Sequence, residues 1–469
     1  MSNTKFYQQS WFWLFVAVVI FLINQLPFIT DIRPVMYDEA WYGSTAYSCA
    51  IGNGFRNTVV GTGGNSNFIL PLLESGMMHI VGFNLLAIRL TAVLCGILTL
   101  VFLNLSFRQM KVRVYSQILV YAFFVSLTLY NTIFRFGRPE CAAIMFMVGG
   151  VWMYLRYQEN PSWINMTGLS VFVFLAACAH PFSLLFFALL GVYMLIKSIK
   201  TKEWKLIIQL LPLLFAALLA LVLVTYLSSK YNEANSVVLE RFSVSKASMA
   251  LPIYFKSALT SKDIIYIYPL ILLCGWCAFT KFKYKELAII ALIHFAIFPF
   301  LFSTDLMMVG LGLDYYVVIA TMLLAPCLDS IQNRKWLTPI LALYCVMNLG
   351  ISYYYNYMVK YEKTNTILAT DLQSIIPQGA KVFGPLRQWP MVMGTDYQSD
   401  HTCYDVLPQE QYDFIILNSQ DTPNYAPYKE ILPIDESKME LVYSRETKQY
   451  GVVEVYKKLN ELKSERMKE

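Results

Sequence analysis

Long apolar runs recur along most of this chain and constrain its fold more than any other feature. A helix needs about 20 apolar residues to cross a hydrocarbon core of about 30 Å, because each residue adds about 1.5 Å of rise. On that scale the candidate transmembrane helices are 11–29, 85–107, 114–130, 141–156, 164–179, 182–197, 206–228, 263–280, 286–302, 315–331 and 337–358. We therefore predict a polytopic α-helical membrane protein with about eleven transmembrane helices, within a range of ten to thirteen.

The composition supports a membrane protein and excludes several other classes. Of the 469 residues 57% are hydrophobic and 14% are charged, whereas soluble domains carry about 25% charged residues. The nine cysteines are scattered, so they indicate no disulfide framework. The sequence contains no P-loop, GxSxG, HExxH or zinc-type cysteine spacing. The net charge of +6 is explained by loops of a membrane protein and predicts no nucleic-acid partner.

Basic residues between the apolar runs predict the orientation of the chain. If eleven helices are present, the main clusters all lie on one side: Arg108, Lys111 and Arg113; Lys197, Lys200, Lys202 and Lys205; Lys281, Lys283 and Lys285; Arg334 and Lys335. The positive-inside rule places this side in the cytoplasm. We therefore predict a cytoplasmic N-terminus with a retained first helix. The compact loops favour a bacterial inner membrane, with the C-terminus in the periplasm.

The opposite, periplasmic side then receives a long first loop and a C-terminal domain. The loop, 30–84, contains a predicted amphipathic helix at Asp38–Ile51 and an interfacial helix at Phe68–Val81. We divide the chain into a transmembrane catalytic domain, 1–358, and a small α/β domain, 359–469. Its predicted elements are a helix at Glu362–Ile376 and strands at Ala380–Gly384, Tyr412–Leu417, Met439–Ser444 and Gly451–Tyr456.

Adjacent carboxylates on the periplasmic side are the first candidates for chemistry. Asp38 and Glu39 follow the first helix. Neighbouring residues of a helix point in different directions, so one can face a reaction centre while the other orients a partner or a metal. The alternative is an acidic first turn that the helix dipole favours.

A second group surrounds the start of the fourth predicted helix. Arg138 could bind a phosphate through its planar guanidinium, with Glu140 facing the same cavity. The alternative is an ordinary helix start, with Pro139 and Glu140 in its first turn. His180, at the end of the fifth helix, is either a donor to phosphate or sugar, or a turn residue. Asp314 and Tyr315 precede the tenth helix and are weaker candidates.

These residues together resemble the GT-C superfamily of membrane glycosyltransferases. The resemblance rests on Asp38-Glu39 in the first loop, Leu70-Pro71-Leu72 in its second half, the segment 83–90 and Arg138-Pro139-Glu140. Within the superfamily the sequence is most similar to bacterial relatives of protein O-mannosyltransferases and of the lipid A aminoarabinose transferase.

The resemblance implies an activity and assigns roles to residues. Such enzymes transfer a sugar from a polyprenyl-phosphate carrier to an acceptor hydroxyl outside the cytoplasm, usually with inversion and without a nucleotide sugar. Asp38 corresponds to the acidic residue of the first loop. Some relatives place a lysine near the donor phosphate; this sequence has no obvious lysine there, and Arg56 or Arg138 could replace it.

The same chemistry follows from the residue types. A carboxylate such as Asp38 can accept the proton of an acceptor hydroxyl, and Arg138 can stabilise the charge that builds up on a leaving phosphate. A hard divalent cation between Asp38 and Glu140 is also compatible with two carboxylates and no histidine cluster. The expected partners are the donor lipid, membrane lipids and a glycan, lipid or protein acceptor.

Two other functions remain open at this stage. A transporter or flippase of lipid-linked glycans would be expected to show two related halves and ionisable residues at the middle of the membrane. A glycan polymerase would share the lipid carrier but would be expected to place a long basic loop late in the chain.

Overall fold

The computed structural model describes residues 9–60, 67–231, 264–301, 306–331, 337–360, 362–399, 411–419 and 434–459. The loop predicted between the candidate helices 206–228 and 263–280 falls almost entirely outside these ranges. The helices are, in chain order, α1 (Ser10–Gln25), α2 (Tyr37–Ala50), α3 (Ile69–Val81), α4 (Leu85–Gln109), α5 (Val114–Ser126), α6 (Thr128–Ile133), α7 (Pro139–Glu159), α8 (Trp163–Ala179), α9 (Ser183–Lys200), α10 (Trp204–Gln209), α11 (Leu211–Tyr231), α12 (Ile264–Phe279), α13 (Lys285–Leu301), α14 (Leu306–Ser330), α15 (Leu337–Val359) and α16 (Thr364–Ile375).

The chain is mostly helical, as predicted, and each candidate transmembrane run overlaps a helix. By length and composition, three segments of the described residues can cross a membrane: Leu85–Gln109, Ser183–Lys200 and Trp204–Leu227. Other apolar helices are shorter; α1, for example, has 16 residues and is about 24 Å long. The number of about eleven transmembrane helices therefore stays a prediction.

The ends of several helices follow from local sequence. Asn84 begins α4 by accepting a hydrogen bond from the Ala87 N–H at 3.0 Å, which satisfies a donor that the helix leaves unpaired. Gly82 ends α3 with φ of 102°, a conformation that favours glycine. Both helices predicted in the first loop are present, within one residue of their predicted bounds.

The C-terminal domain has a five-stranded sheet that follows α16. The strands are β1 (Lys381–Gly384), β2 (Asp396–Ser399), β3 (Phe414–Asn418), β4 (Met439–Thr447) and β5 (Gly451–Lys458), in the order β2-β1-β3-β5-β4. β1 pairs in parallel with β2 and β3, and β5 pairs antiparallel with β3 and β4. The four predicted strands are confirmed. β2 was not predicted, because its four residues alternate too briefly to give a pattern.

The first loop and the C-terminal domain share one hydrophobic core. Fully buried Trp389 packs beside Gly43 of α2, where an added Cβ would lie 3.4 Å from the indole ring. The Ser399 N–H donates to the Val59 carbonyl at 2.8 Å, so the loop is bonded to the end of the edge strand β2. The C-terminal domain is therefore docked on the loop that carries Asp38.

Candidate active site

The N-termini of α2 and α7 approach each other and place acidic and basic side chains together. Asp38 lies in the first turn of α2, and Glu140 lies in the first turn of α7. The Arg138 side chain joins them: its Nη2 is 3.3 Å from Asp38 Oδ2 and 3.2 Å from Glu140 Oε1. We call these three residues the acidic–basic triad.

Arg138 adopts its position because proline follows it. A residue before proline avoids helical backbone angles, and Arg138 is extended, with φ of −120° and ψ of 146°. Its side chain therefore lies outside the first turn of α7, where it contacts Asp38 of α2. Two helix N-termini at one place also favour bound negative charge, because their free N–H groups point toward it.

Exposure differs strongly within the triad. The side chain of Asp38 is 34% exposed, that of Arg138 is 17% exposed, and that of Glu140 is 4% exposed. Glu140 Oε2 is buried without a hydrogen-bond partner among the described residues. Asp38 is therefore the carboxylate that a substrate can reach most easily, and Arg138 is accessible beside it.

Burial sets the protonation of the groups around Asp38. It raises the pKa of the Asp38 carboxyl; Arg138 partly offsets this effect, and the negative charge of Glu140 adds to it. Tyr42, one turn further along α2, accepts a hydrogen bond from Asn67 Nδ2 at 3.2 Å. Burial and the charges of Asp38 and Glu140 raise the pKa of its hydroxyl, so Tyr42 stays a proton donor.

Glu39 turns away from the triad into the protein. Both of its oxygens accept from Arg89 of α4, at 2.7 Å from Nε and 2.9 Å from Nη2, and neither side chain is exposed. Arg89 Nη1 also donates to the carbonyls of Ile29 at 2.7 Å and Thr30 at 3.0 Å. This geometry favours a positioning role for Glu39, because the ion pair ties the start of α2 to α4.

Glu74 of α3 is a buried carboxyl directly below the loop that carries Arg138. A Cβ added at Gly137 would lie 2.5 Å from Glu74 Oε1, so only glycine fits there without rearrangement. Both Glu74 oxygens are buried and lack a hydrogen-bond partner among the described residues. Burial, followed by the charge of Glu39, raises the pKa of Glu74 well above its ordinary value, which favours the neutral carboxyl.

His180 and Tyr315 come together at the end of the helices where the triad lies. His180 ends α8 and is 7% exposed, and its ring stacks on Tyr315 with centroids 5.9 Å apart. The Phe182 N–H points at His180 Nδ1 at a long 3.4 Å. Asp314 belongs to α14, but its side chain lies outside the described atoms, so its predicted role stays a prediction.

Arg56 lies apart from these contacts. It is exposed in the loop after α2, and the described residues include no ion pair of its side chain. Arg138, which already contacts Asp38, is therefore the better candidate for a phosphate ligand.

The triad does not fit a divalent cation. The guanidinium of Arg138 stands between Asp38 and Glu140, at the place where a cation would have to bind. Within the described ranges, no three His, Cys, Asp or Glu side chains converge as metal ligands would. Asp38 and Glu140 are therefore arranged to share the guanidinium of Arg138 and not a cation.

Several residues around the triad could not be identified from the sequence. Tyr42 and Glu74 lie in the two helices of the first loop, and neither belongs to a sequence motif that marks it as functional. Arg89 had a usable signal, because an arginine inside an apolar helix needs a buried partner. The partner of Arg89 could not be read from the sequence, since Glu39 is 50 positions away.

The chain is similar to one family model and to several solved structures. Residues 77–265 match a family model described as a domain of unknown function, DUF6311. No curated protein sequence matches the chain. Among solved structures, ArnT from Cupriavidus metallidurans bound to undecaprenyl phosphate superposes with a TM-score of 0.63, covering 95% of this chain and 97% of that one at 15% identity.

The apo state of the same ArnT gives a TM-score of 0.59 at 12% identity, again over 95% and 97% of the chains. The arabinofuranosyltransferase AftD from Mycobacteria gives 0.52 at 11% identity, over 96% of this chain and 40% of that one. Both are GT-C glycosyltransferases. The chain has a GT-C fold. This confirms the resemblance seen in the sequence, and the GT-C fold belongs to integral membrane proteins.

Proposed function

We propose that this chain is a membrane glycosyltransferase that transfers a sugar from a polyprenyl-phosphate-linked donor to an acceptor hydroxyl. The observation that carries the proposal is the Asp38–Arg138 contact at 3.3 Å, at the meeting point of two helix N-termini. It provides a base and a phosphate ligand side by side. Support for a lipid donor comes from the similarly folded ArnT, which binds undecaprenyl phosphate.

In the proposed reaction Asp38 accepts the proton of the acceptor hydroxyl. The hydroxyl oxygen forms a bond to the anomeric carbon while the bond from that carbon to the phosphate oxygen breaks. The electron pair of the broken bond remains on the phosphate, where Arg138 and the helix N-termini stabilise the added charge. The configuration inverts, and Asp38 later releases its proton to water.

The raised pKa of Asp38 suits this role. A base works best when its pKa lies near the operating pH, and burial moves the pKa of Asp38 in that direction. Tyr42 can donate a hydrogen bond to a sugar or phosphate oxygen beside the triad. Glu39 and Arg89 would hold the start of α2 while the charges change.

The orientation and location belong to the same proposal. The positive-inside rule favours a cytoplasmic N-terminus and a triad on the opposite side of the membrane. The resemblance to bacterial enzymes favours an inner membrane, in which that opposite side is the periplasm. The C-terminal domain, docked on the first loop, would then also be periplasmic. We propose that it contributes to acceptor recognition, because it lies beside the loop that carries Asp38.

A transporter of lipid-linked glycans is less well supported. The ionisable side chains of the triad lie at helix N-termini, whereas a transport pathway places such groups near the middle of the membrane.

The test is a donor panel in membranes that contain the wild-type chain. We expect transfer from a polyprenyl-phosphate-sugar, with release of polyprenyl phosphate, and no transfer from the matching nucleotide sugar. A parallel assay follows movement of the labelled donor between leaflets of proteoliposomes. Movement of lipid-linked glycan without release of polyprenyl phosphate would support the transporter and refute the transferase.

A further inference from the structure

A groove of about 460 Å³ runs along α9 and α11, with Val173 of α8 at its floor. Every residue that lines it is apolar. Its wall on α9 extends from Leu184 to Leu195. These eleven steps correspond to about 16 Å of helix, which is close to half of a hydrocarbon core of about 30 Å. The groove therefore has the length of one leaflet.

Small residues keep the groove open. Ala188 and Gly191 of α9 face Ala217 of α11 across it. A Cβ added at Gly191 would have Leu213 Cδ2 as its nearest neighbour, at 3.6 Å. A larger side chain at this position would therefore extend into the groove and fill space that is now open.

One end of the groove carries a concentration of positive charge. α9 ends at Lys200, and the short helix α10 then contributes Ile207 to the lining. Four exposed lysines occupy this connection: Lys197, Lys200, Lys202 and Lys205. Within the described ranges no carboxylate pairs with any of them. Their charge is therefore available to an anion at the mouth of the groove.

The groove mouth and the triad lie at opposite ends of the helices. α8 ends at His180 on the side of the triad, and α9 returns from there to the lysines. The groove mouth is therefore separated from the candidate active site by the length of α9.

We propose that this groove binds an anionic glycerophospholipid of the leaflet on the lysine side. One acyl chain lies between α9 and α11, and the phosphate lies against the lysines. A phospholipid fits this site because the apolar groove, about one leaflet long, ends at four lysines that have no carboxylate partner among the described residues. Trp204, 67% exposed at the start of α10, suits the headgroup level of the same leaflet.

Native mass spectrometry of the delipidated protein tests the proposal. Phosphatidylglycerol and phosphatidylcholine with identical acyl chains are added separately. We expect at least about five-fold higher occupancy by phosphatidylglycerol at one site. Neutralising Lys200, Lys202 and Lys205 to Gln should abolish the preference. Neutralising Lys281, Lys283 and Lys285, which follow α12, should leave it unchanged. Equal occupancy by both lipids, or equal losses in the two triple variants, would overturn the proposal.

A second pair of variants tests the apolar part. Gly191→Leu fills the groove and should lower phosphatidylglycerol occupancy while all lysines remain. Gly275→Leu is the control, because no atom of the described residues lies within 4 Å of a Cβ added there. If Gly191→Leu does not fold, a photoactivatable phosphatidylglycerol with an acyl-chain label is used on the wild type. Label on peptides of α9 and α11 supports the proposal; label elsewhere, or full displacement by polyprenyl phosphate, refutes it.

Discussion

Glu39 and Arg89 form a bidentate ion pair from which water is excluded, with N–O distances of 2.7 and 2.9 Å. The pair lies one residue from Asp38 and links the first loop to the first long apolar helix, α4. Arg89 also stacks over Phe136 at 5.1 Å, next to the loop that carries Arg138. One guanidinium thus contacts both segments that supply the triad.

Breaking this pair is expected to destabilise the protein strongly. Arg89→Met leaves Glu39 as a buried charge without its partner, which costs about 3–5 kcal/mol. Thermal unfolding in detergent should show the loss. Arg445→Met is the control, because Arg445 pairs with Asp371 at 2.7 Å on the surface and such pairs contribute about 0–1 kcal/mol. Similar unfolding temperatures for both variants would contradict a stabilising role for the buried pair.

Arg138 is expected to stabilise the negative charge on the phosphate of the lipid donor and to lower the pKa of Asp38. Arg138→Met should lower kcat/KM for the lipid donor by about 100-fold, in the range known for removal of one transition-state donor. Arg138→Lys should recover part of the loss, because lysine keeps the charge but not the planar fork. Arg113→Lys, at the opposite end of the helices, serves as the control. Equal activity of Arg138→Met and wild type would refute phosphate binding by Arg138.

The pH dependence of transfer should report Asp38. A base is active when ionised, so the rate should rise with pH through a pKa above the ordinary value for an aspartate. Arg138 lowers that pKa, so its removal should move the acid limb to higher pH. The residual activity of Arg138→Met, followed across pH, provides the measurement. An acid limb that stays in place, or moves to lower pH, would contradict the coupling between the two residues.

Glu74 is expected to make stability depend on pH. Its folded pKa lies well above that of the unfolded chain because of burial. Its stabilising contribution is therefore complete below the unfolded pKa and is lost as pH rises toward the folded pKa. Glu74→Gln, which stays neutral, should gain stability relative to wild type as pH rises above about 4.5. Parallel unfolding temperatures of the two proteins from pH 5 to 8 would show that Glu74 is charged in the fold.

The C-terminal domain should affect the geometry at Asp38. The Tyr450 hydroxyl accepts a hydrogen bond at 2.8 Å from the N–H of Val35, which lies three residues before Asp38 in the first loop. The same hydroxyl donates to Asn365 at 2.7 Å. Tyr450→Phe should lower kcat for every acceptor by a similar factor. Tyr443→Phe is the control, because its hydroxyl contacts Asp371. A change confined to one acceptor would instead favour direct acceptor recognition by the domain.

Much of the fold could be predicted because periodicity and length are local properties. The apolar runs, the loop helices at Tyr37–Ala50 and Ile69–Val81, and four strands follow from neighbouring residues. Adjacent acidic residues and an Arg-Pro-Glu segment also pointed to Asp38, Arg138 and Glu140. Their role as a catalytic unit stays a proposal.

Tertiary pairing could not be predicted. The sequence predicts that Asp38 and Glu39 point in different directions, but it does not identify their partners. Only the fold places Asp38 beside Arg138 and Glu39 against Arg89, far along the chain. The orphaned carboxyl of Glu74 likewise depends on the approach of Gly137. Arg135 lies only three residues before Arg138 in the sequence. In the fold it donates to the Asn24 carbonyl and to Gln25, so it holds the end of α1 instead.

The most direct test of the account is release of polyprenyl phosphate in proteoliposomes by wild type, Asp38→Asn and Asp371→Asn. Asp371 is a close match, because it too pairs with an arginine and its side chain is 30% exposed, against 34% for Asp38. We expect Asp371→Asn to retain wild-type activity and Asp38→Asn to lose at least about 100-fold, the scale of a missing general base. Wild-type release by correctly folded Asp38→Asn would contradict the central role of Asp38.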